Sequence, residues 1–219
     1  MLPTNIFYRT FFIKAAQYGT AFTLDLDGSE FLITAAHLLA HQGKTEAVQI
    51  LRRGQWQTFE CSIVAVGRGS LDIAVLQAPT RLTDPGFAVE PKFGDCYVGQ
   101  EVFFVGFPYK MWVDYGPNVD GQPGVFLKKG TLSAVEAGPP KALYVDALNN
   151  DGFSGAPLYY FRNGNLNEPP CIAGVVSKYK IEHEVVLDSK GKNTDMTVPY
   201  NTGFMVAYDI AHALELARK

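Results

Sequence analysis

Apolar residues along this chain come in short runs, each soon interrupted by glycine, asparagine, aspartate or proline. Such runs cover 20–26, 31–34, 47–51, 61–66, 73–76 and 101–105, then 130–135, 142–145, 157–161, 172–177 and 203–206. Many short strands with close turn signals predict an all-β sandwich or barrel, not an alternation of strands and helices. Asp25-Leu26-Asp27-Gly28 lies between two of the runs and reads as a hairpin, because Asp-Gly takes the turn's positive φ readily. Two helices are expected. A short one follows Ala36-His37, and a longer one closes the chain with Asp209 as its N-cap and Ile210, Ala213, Leu214 and Ala217 as an apolar stripe. That stripe reads as a packing face. The stretch 86–94 looks like a connector between two halves of similar size, and long loops are expected at 107–124, 162–170 and 180–202.

Composition narrows the class of protein. The 219 residues can bury a large core as one domain, or as two tightly packed lobes. A net charge of -3 offers no basic face for nucleic acid, and no apolar run is long enough for a membrane span, so neither partner is expected. Residues 1–5 carry no charged leader before an apolar segment, so no secretory signal is expected. Cys61, Cys96 and Cys171 are odd in number and lack metal-site spacing; they read as buried reduced thiols, and a reducing, cytoplasmic location follows. No cofactor and no metal are expected.

The most specific chemistry lies in Asp151-Gly152-Phe153-Ser154-Gly155-Ala156-Pro157-Leu158, a hydroxyl on a glycine-flanked turn. Upstream stand Thr34-Ala35-Ala36-His37 and Leu71-Asp72-Ile73-Ala74-Val75-Leu76. A serine hydroxyl needs an imidazole to take its proton, and the imidazole needs a carboxylate to fix its tautomer. The oxyanion formed by attack needs preorganised donors, which backbone N–H groups on a tight turn supply. Asp72 on an apolar strand would be expensive to bury without a partner. His41, His183 and His212 lie in polar or terminal contexts and are read as non-catalytic.

With these motifs, the chain resembles the trypsin-like (chymotrypsin-fold) serine peptidases, and within them the disulfide-free HtrA-like bacterial branch. The resemblance rests also on Gly19-Thr20-Ala21-Phe22, Val98-Gly99-Gln100, Val105-Gly106-Phe107-Pro108, Gly130-Thr131-Leu132-Ser133-Ala134-Val135 and Ile172-Ala173-Gly174-Val175-Val176-Ser177. It implies two antiparallel six-stranded β-barrels with a C-terminal helix: one peptidase domain over 1–219, with barrels at 1–86 and 95–206 and the helix at 207–219. No PDZ module is expected after it. The resemblance assigns His37 as general base, Asp72 as its orienter, Ser154 as nucleophile, and the N–H groups of Gly152 and Ser154 as the oxyanion hole. It gives Ser177 as support for the aspartate, and Leu148, Val176, Ser177, Lys178 and Gly203 as the primary specificity pocket. A polypeptide substrate would add as a strand along 172–178. Leu148 offers no carboxylate to a basic side chain.

The chain departs from the family at Phe153, where Asp or Asn usually precedes the nucleophile. In the digestive branch that Asp pairs with a freshly cut N-terminus, and no activation motif stands here. Ala156 replaces a usual glycine. The expected activity is serine endopeptidase; the alternative is a catalytically idle or partner-activated protease-like domain that binds peptides, with an activating protein partner left open. A nucleophile elbow of the α/β-hydrolase type is disfavoured, because acid and histidine would then follow the serine.

Overall fold

The computed structural model describes residues 2–40, 43–116, 119 and 121–219. His41 lies outside the described residues, as do parts of the 107–124 loop. The first half is a closed antiparallel barrel of six strands: β1 (Thr10–Lys14), β2 (Tyr18–Leu26), β3 (Ser29–Thr34), β4 (Thr45–Arg52), β5 (Gln55–Val66) and β6 (Ala74–Gln77), in the order β1-β2-β3-β6-β5-β4. The β2–β3 hairpin turns at Asp27 and Gly28, both at positive φ, with Leu26 opposite Ser29. Strand β4 buries every second residue, Glu46, Val48 and Ile50. Such spacing comes from the pleat, and Glu46 tolerates its inward position because its carboxylate accepts from the Ala40 N–H at 3.0 Å. Residues 19–23 of β2 are buried without alternation, as suits a strand covered on both faces.

The second half is built from β7 (Glu90–Pro91), β8 (Glu101–Gly106), β9 (Phe126–Glu136), β10 (Ala142–Asp146), β11 (Pro157–Tyr160), β12 (Cys171–Leu187) and β13 (Asn193–Asp209), ordered β11-β8-β9-β10-β13-β12-β7. Strand β11 also pairs with β12, which closes β8, β9, β10, β13, β12 and β11 into a second six-stranded ring. The connector expected at 86–94 contributes β7, a short parallel partner at the edge of β12. The fold is the expected pair of six-stranded barrels with a helix at the end.

Three elements differ from expectation. An amino-terminal helix, α1 (Thr4–Arg9), buries Ile6, Phe7 and Arg9; Arg9 is satisfied by Asp25 and by the carbonyls of Thr23 and Phe87. The short helix after Ala36 is a single 3₁₀ turn, Ala36–Leu38. The loop expected at 180–202 is instead a two-stranded ribbon, the outer halves of β12 and β13 paired from Ile181–Asn201 to Leu187–Asn193. Its Gly, Asn and Pro content hid a ladder that needs no buried face. The closing helix, α2 (Ile210–Ala217), is capped by Asp209 accepting from the Ala211 N–H at 2.9 Å. It buries Ile210, Ala213 and Leu216, with Leu214 and Ala217 packed at the margin, against β5 and β6 of the first barrel as well as β12. Cys61, Cys96 and Cys171 are all free and buried, and burial pushes the Cys61 thiol up to about 11 and Cys96 to about 12.

Candidate active site

The 3₁₀ turn after β3 projects His37, and the segment before β6 carries Asp72; the two meet at the rim of the first barrel. His37 Nδ1 lies 2.7 Å from one oxygen of Asp72, and the His37 backbone N–H donates to the other at 2.9 Å. Ser177 on β12 donates its hydroxyl to Asp72 at 2.5 Å, so the carboxylate is held from both barrels. Burial alone would raise the Asp72 pKa. The side-chain hydrogen bonds from His37 and Ser177, and that from the His37 amide, outweigh burial and hold it below the ordinary value of 3.8. With Nδ1 donating to a carboxylate, neutral His37 presents Nε2 as an acceptor to the cleft.

Across that cleft stands the turn that carries Ser154. A hollow of about 400 Å³ is lined by His37, Ser154, Gly152, Asp151, Tyr18 and Lys110, among others. The Ser154 hydroxyl donates to the Ser177 carbonyl at 3.0 Å. Gly152 has φ +101°, and a Cβ there would sit 2.2 Å from the Phe107 carbonyl oxygen, so only glycine fits the turn. No backbone carbonyl among the described residues accepts from the Gly152 or Ser154 N–H. A larger hollow of about 520 Å³, lined by Tyr8, Arg52, Phe87 and neighbours, contains none of the candidate residues.

The turn is tied to both barrels. Thr20 of β2 donates its hydroxyl to the Gly152 carbonyl at 2.7 Å, and its N–H donates to the Ser154 carbonyl at 2.9 Å. Phe153 is fully buried against Phe104 of β8, edge to face with ring centroids 5.0 Å apart. The residue that replaces the family's Asp or Asn therefore anchors the turn by packing. Preceding residues are held by side chains that sequence reasoning did not single out. Asn201 donates to the Asn149 carbonyl at 2.6 Å, Tyr179 donates to Asp151 at 3.1 Å, Asn150 donates to the Tyr109 hydroxyl at 2.9 Å, and Lys128 donates to the Leu148 carbonyl at 2.6 Å. The sequence did not mark them: the strand expected there began at Gly130, so the register of Lys128 on β9 was not readable, and Asn201 fell in a stretch read as loop.

The residues expected at a specificity pocket fall into two groups. Leu148 is more than half exposed, and the N–H of its neighbour Ala147 donates to the Gly203 carbonyl at 2.8 Å, so these two positions adjoin. Val176 and Ser177 are buried, Val176 beneath the nucleophile turn through reciprocal backbone bonds with Gly155 and Ala156, while Lys178 is exposed. The expectation of a substrate ladder along all of 172–178 needs correction. Pairing with β11 and β13 occupies both edges of residues 174 and 175, and the turn bonds occupy Val176. Among the described residues no strand pairs with the β11 edge of β12 from Ser177 onward, where the Ser177 carbonyl accepts from the Ser154 hydroxyl. His183 sits on the ribbon, and His212 accepts from the Lys141 N–H at 2.9 Å.

Comparison with known proteins agrees with this architecture. Solved structures at low identity superpose along nearly the whole chain. The Rv3671c protease of M. tuberculosis in its active form is 17% identical, with a TM-score of 0.62, covering 98% of this chain and 81% of that one. A serine-to-alanine mutant of Rv3671c from M. tuberculosis H37Rv in an inactive form is 16% identical, with a TM-score of 0.59 and coverages of 98% and 86%. The MamO protease domain of Magnetospirillum magneticum, apo form, is 17% identical, with a TM-score of 0.54 and coverages of 98% and 97%. No curated protein sequence matches significantly. Residues 19–166, more than half of the chain and the part holding His37, Asp72 and Ser154, match the model of the trypsin-like peptidase domain, and the chain belongs to that family.

Proposed function

We propose that this protein is a serine endopeptidase that cleaves polypeptides through an acyl-enzyme on Ser154. The observation that carries the reading is the clasp on Asp72, whose oxygens receive His37 Nδ1, the His37 amide and the Ser177 hydroxyl, beside the cleft that His37 shares with Ser154. A carboxylate so placed fixes the imidazole tautomer and stabilises the imidazolium that forms when Ser154 loses its proton. Attack on the scissile carbonyl would put the oxyanion against the N–H groups of Gly152 and Ser154, donors that need no reorganisation. His37 then returns the proton to the leaving amine and activates water for deacylation. Leu148, Lys178 and Gly203 would border the pocket for the residue before the cleaved bond.

A second reading has one observation in its favour. The Ser154 hydroxyl donates to the Ser177 carbonyl, an arrangement suited to an idle or partner-activated domain that binds peptides without cutting them. Rotation about one side-chain bond would release the hydroxyl, so the readings separate by reactivity. The protein should form a stoichiometric fluorophosphonate adduct on Ser154 and hydrolyse unfolded polypeptide, and Ser154→Ala should abolish both with an unchanged melting temperature. Absence of adduct and of cleavage by the protein alone would instead favour the second reading, with labelling that appears only beside a partner marking the partner-activated form and none under any condition the idle one.

A further inference from the structure

Lys128 breaks the alternation of β9. Positions 126, 128, 130 and 132 turn inward while Leu127, Lys129 and Thr131 are exposed, and Lys128 lies opposite the fully buried Phe104. An ammonium at an inward barrel position is costly unless every donor finds an acceptor. Here the head group bonds the Leu148 carbonyl at 2.6 Å and the Asn150 side-chain oxygen, and it lies 5.4 Å from the centre of the Phe153 ring. All three partners belong to the six residues before Ser154. Phe153 in turn stacks edge to face on Phe104, so the ammonium, its stem and the two rings form one packed unit behind the nucleophile turn. Burial lowers the Lys128 pKa. Sequence offers nothing else at position 153 for a cation to pair with, since the carboxylate usual in the family is absent.

We propose that Lys128 is a positioning residue that holds the 148–153 segment in the shape that presents Ser154 and the oxyanion donors, with no cleavage of the chain required. This rests on the serine-hydrolase reading for its catalytic consequence, though its structural part stands independently. The charge acts as a clamp: one donor fixes the main chain at Leu148, another fixes Asn150, and the cation–π contact fixes the ring that precedes the nucleophile. Asn150 is thereby oriented to donate to Tyr109, which extends the clamp to the rim of the cleft. Nothing in the arrangement touches a reacting atom, so loss of Lys128 should act first on turnover, through the oxyanion donors, and on substrate binding only as far as loosening at Leu148 disturbs the border of the pocket.

The test uses the full chain with Lys128→Met, which retains the apolar stem, Lys128→Arg, which retains charge and donors, and Asn150→Ala, which removes one acceptor without altering the barrel. Hydrogen–deuterium exchange over 148–154 should be about tenfold faster or more in Lys128→Met, with β10 and β13 unchanged, as expected when a local opening is released. Turnover should fall by about tenfold or more with a smaller rise in KM, since Leu148 borders the proposed pocket. Lys128→Arg should recover most of the loss, and Asn150→Ala should move exchange and turnover the same way by less. Parental exchange and turnover in Lys128→Met would overturn the proposal; if that variant does not fold, parental behaviour of Asn150→Ala would do so. An unmodified protein that neither cleaves nor labels would end the hydrolase reading, while the exchange comparison would still decide the role of Lys128.

Discussion

The hydroxyl of Thr20 donates to the Gly152 carbonyl and accepts from the Phe107 N–H at 3.3 Å, while the Thr20 carbonyl accepts from Thr34 at 2.8 Å. One buried side chain thus links the first barrel to the turn that bears Ser154. Thr20→Val preserves shape and strands the Gly152 carbonyl, so we expect a loss of about 1–3 kcal/mol in urea unfolding, together with reduced turnover. A valine variant with parental stability and turnover would show that the bridge is dispensable. The turn that bears Ser154 tolerates as little at Gly155, where φ is +83° and a Cβ would lie 2.0 Å from the Thr20 carbonyl oxygen. Asp72→Asn is expected to leave the fold intact and reduce turnover by about 10⁴, the size of loss known for that change in related triads, because the amide favours the wrong imidazole tautomer. Steady-state kinetics on a protein of unchanged circular dichroism would check it.

The ribbon of β12 and β13 raises a different question, because it leaves the barrel and carries exposed Ile181, Val185, Leu187, Met196, Val198 and Tyr200. Its base, however, reaches the loop before Ser154 through Tyr179 and Asn201, which bond Asp151 and the Asn149 carbonyl. Shortening the outer part, by joining Glu184 to Val198 with an Asn-Gly turn, removes mainly exposed residues, and such changes rarely cost much stability. We expect the melting temperature of the shortened protein to stay near the parental value, whereas Asn201→Ala, at the base, should lower turnover by roughly tenfold. Differential scanning fluorimetry and peptide hydrolysis measure the two. Sequence could not reveal this element, since strand patterning rests on one buried face and the ribbon has none. The barrel strands were legible for the opposite reason: their inward residues, such as Val48 and Ile50, alternate against a core. Strand β1 and helix α1 were not seen because no Gly, Asn, Asp or Pro parts them between Ile6 and Lys14, and a short apolar run without such a boundary does not tell strand from buried helix. The candidate residues His37, Asp72 and Ser154 stood out by motif. Their supports, Thr20, Lys128 and Asn201, did not, because a supporting residue is defined by what lies across the fold and not by its neighbours in the chain.

At the scale of the whole molecule, the two barrels share one apolar core. It holds Phe12, Phe22 and Val75 of the first together with Phe107, Tyr159 and Val175 of the second, and it stacks the Phe12 and Phe107 rings 4.8 Å apart. Polar contacts join the barrels around the candidate site. Helix α2 leaves the second barrel and packs on β5 and β6 of the first, Thr20 reaches across to the nucleophile turn, and Asp72 accepts from His37 of its own barrel and Ser177 of the other. The last contact is titratable. Asp72 has its folded pKa held below 3.8, so the folded state binds this proton less readily than the unfolded chain. The stabilisation it supplies is complete above pH 3.8 and is lost as pH falls through the lower, folded value. Protonation removes the acceptor charge that holds His37 and Ser177 together, so acid should loosen the junction between barrels in particular. Urea unfolding of the parent and of Asp72→Asn, followed from pH 6 to acid, separates this group from the other carboxylates. The stability difference between the two proteins should be constant above about pH 4 and should shrink below it. A difference independent of pH down to the acid limit would mean that the carboxylate charge contributes nothing to joining the halves, and that the shared apolar core, α2 and Thr20 hold the interface without it.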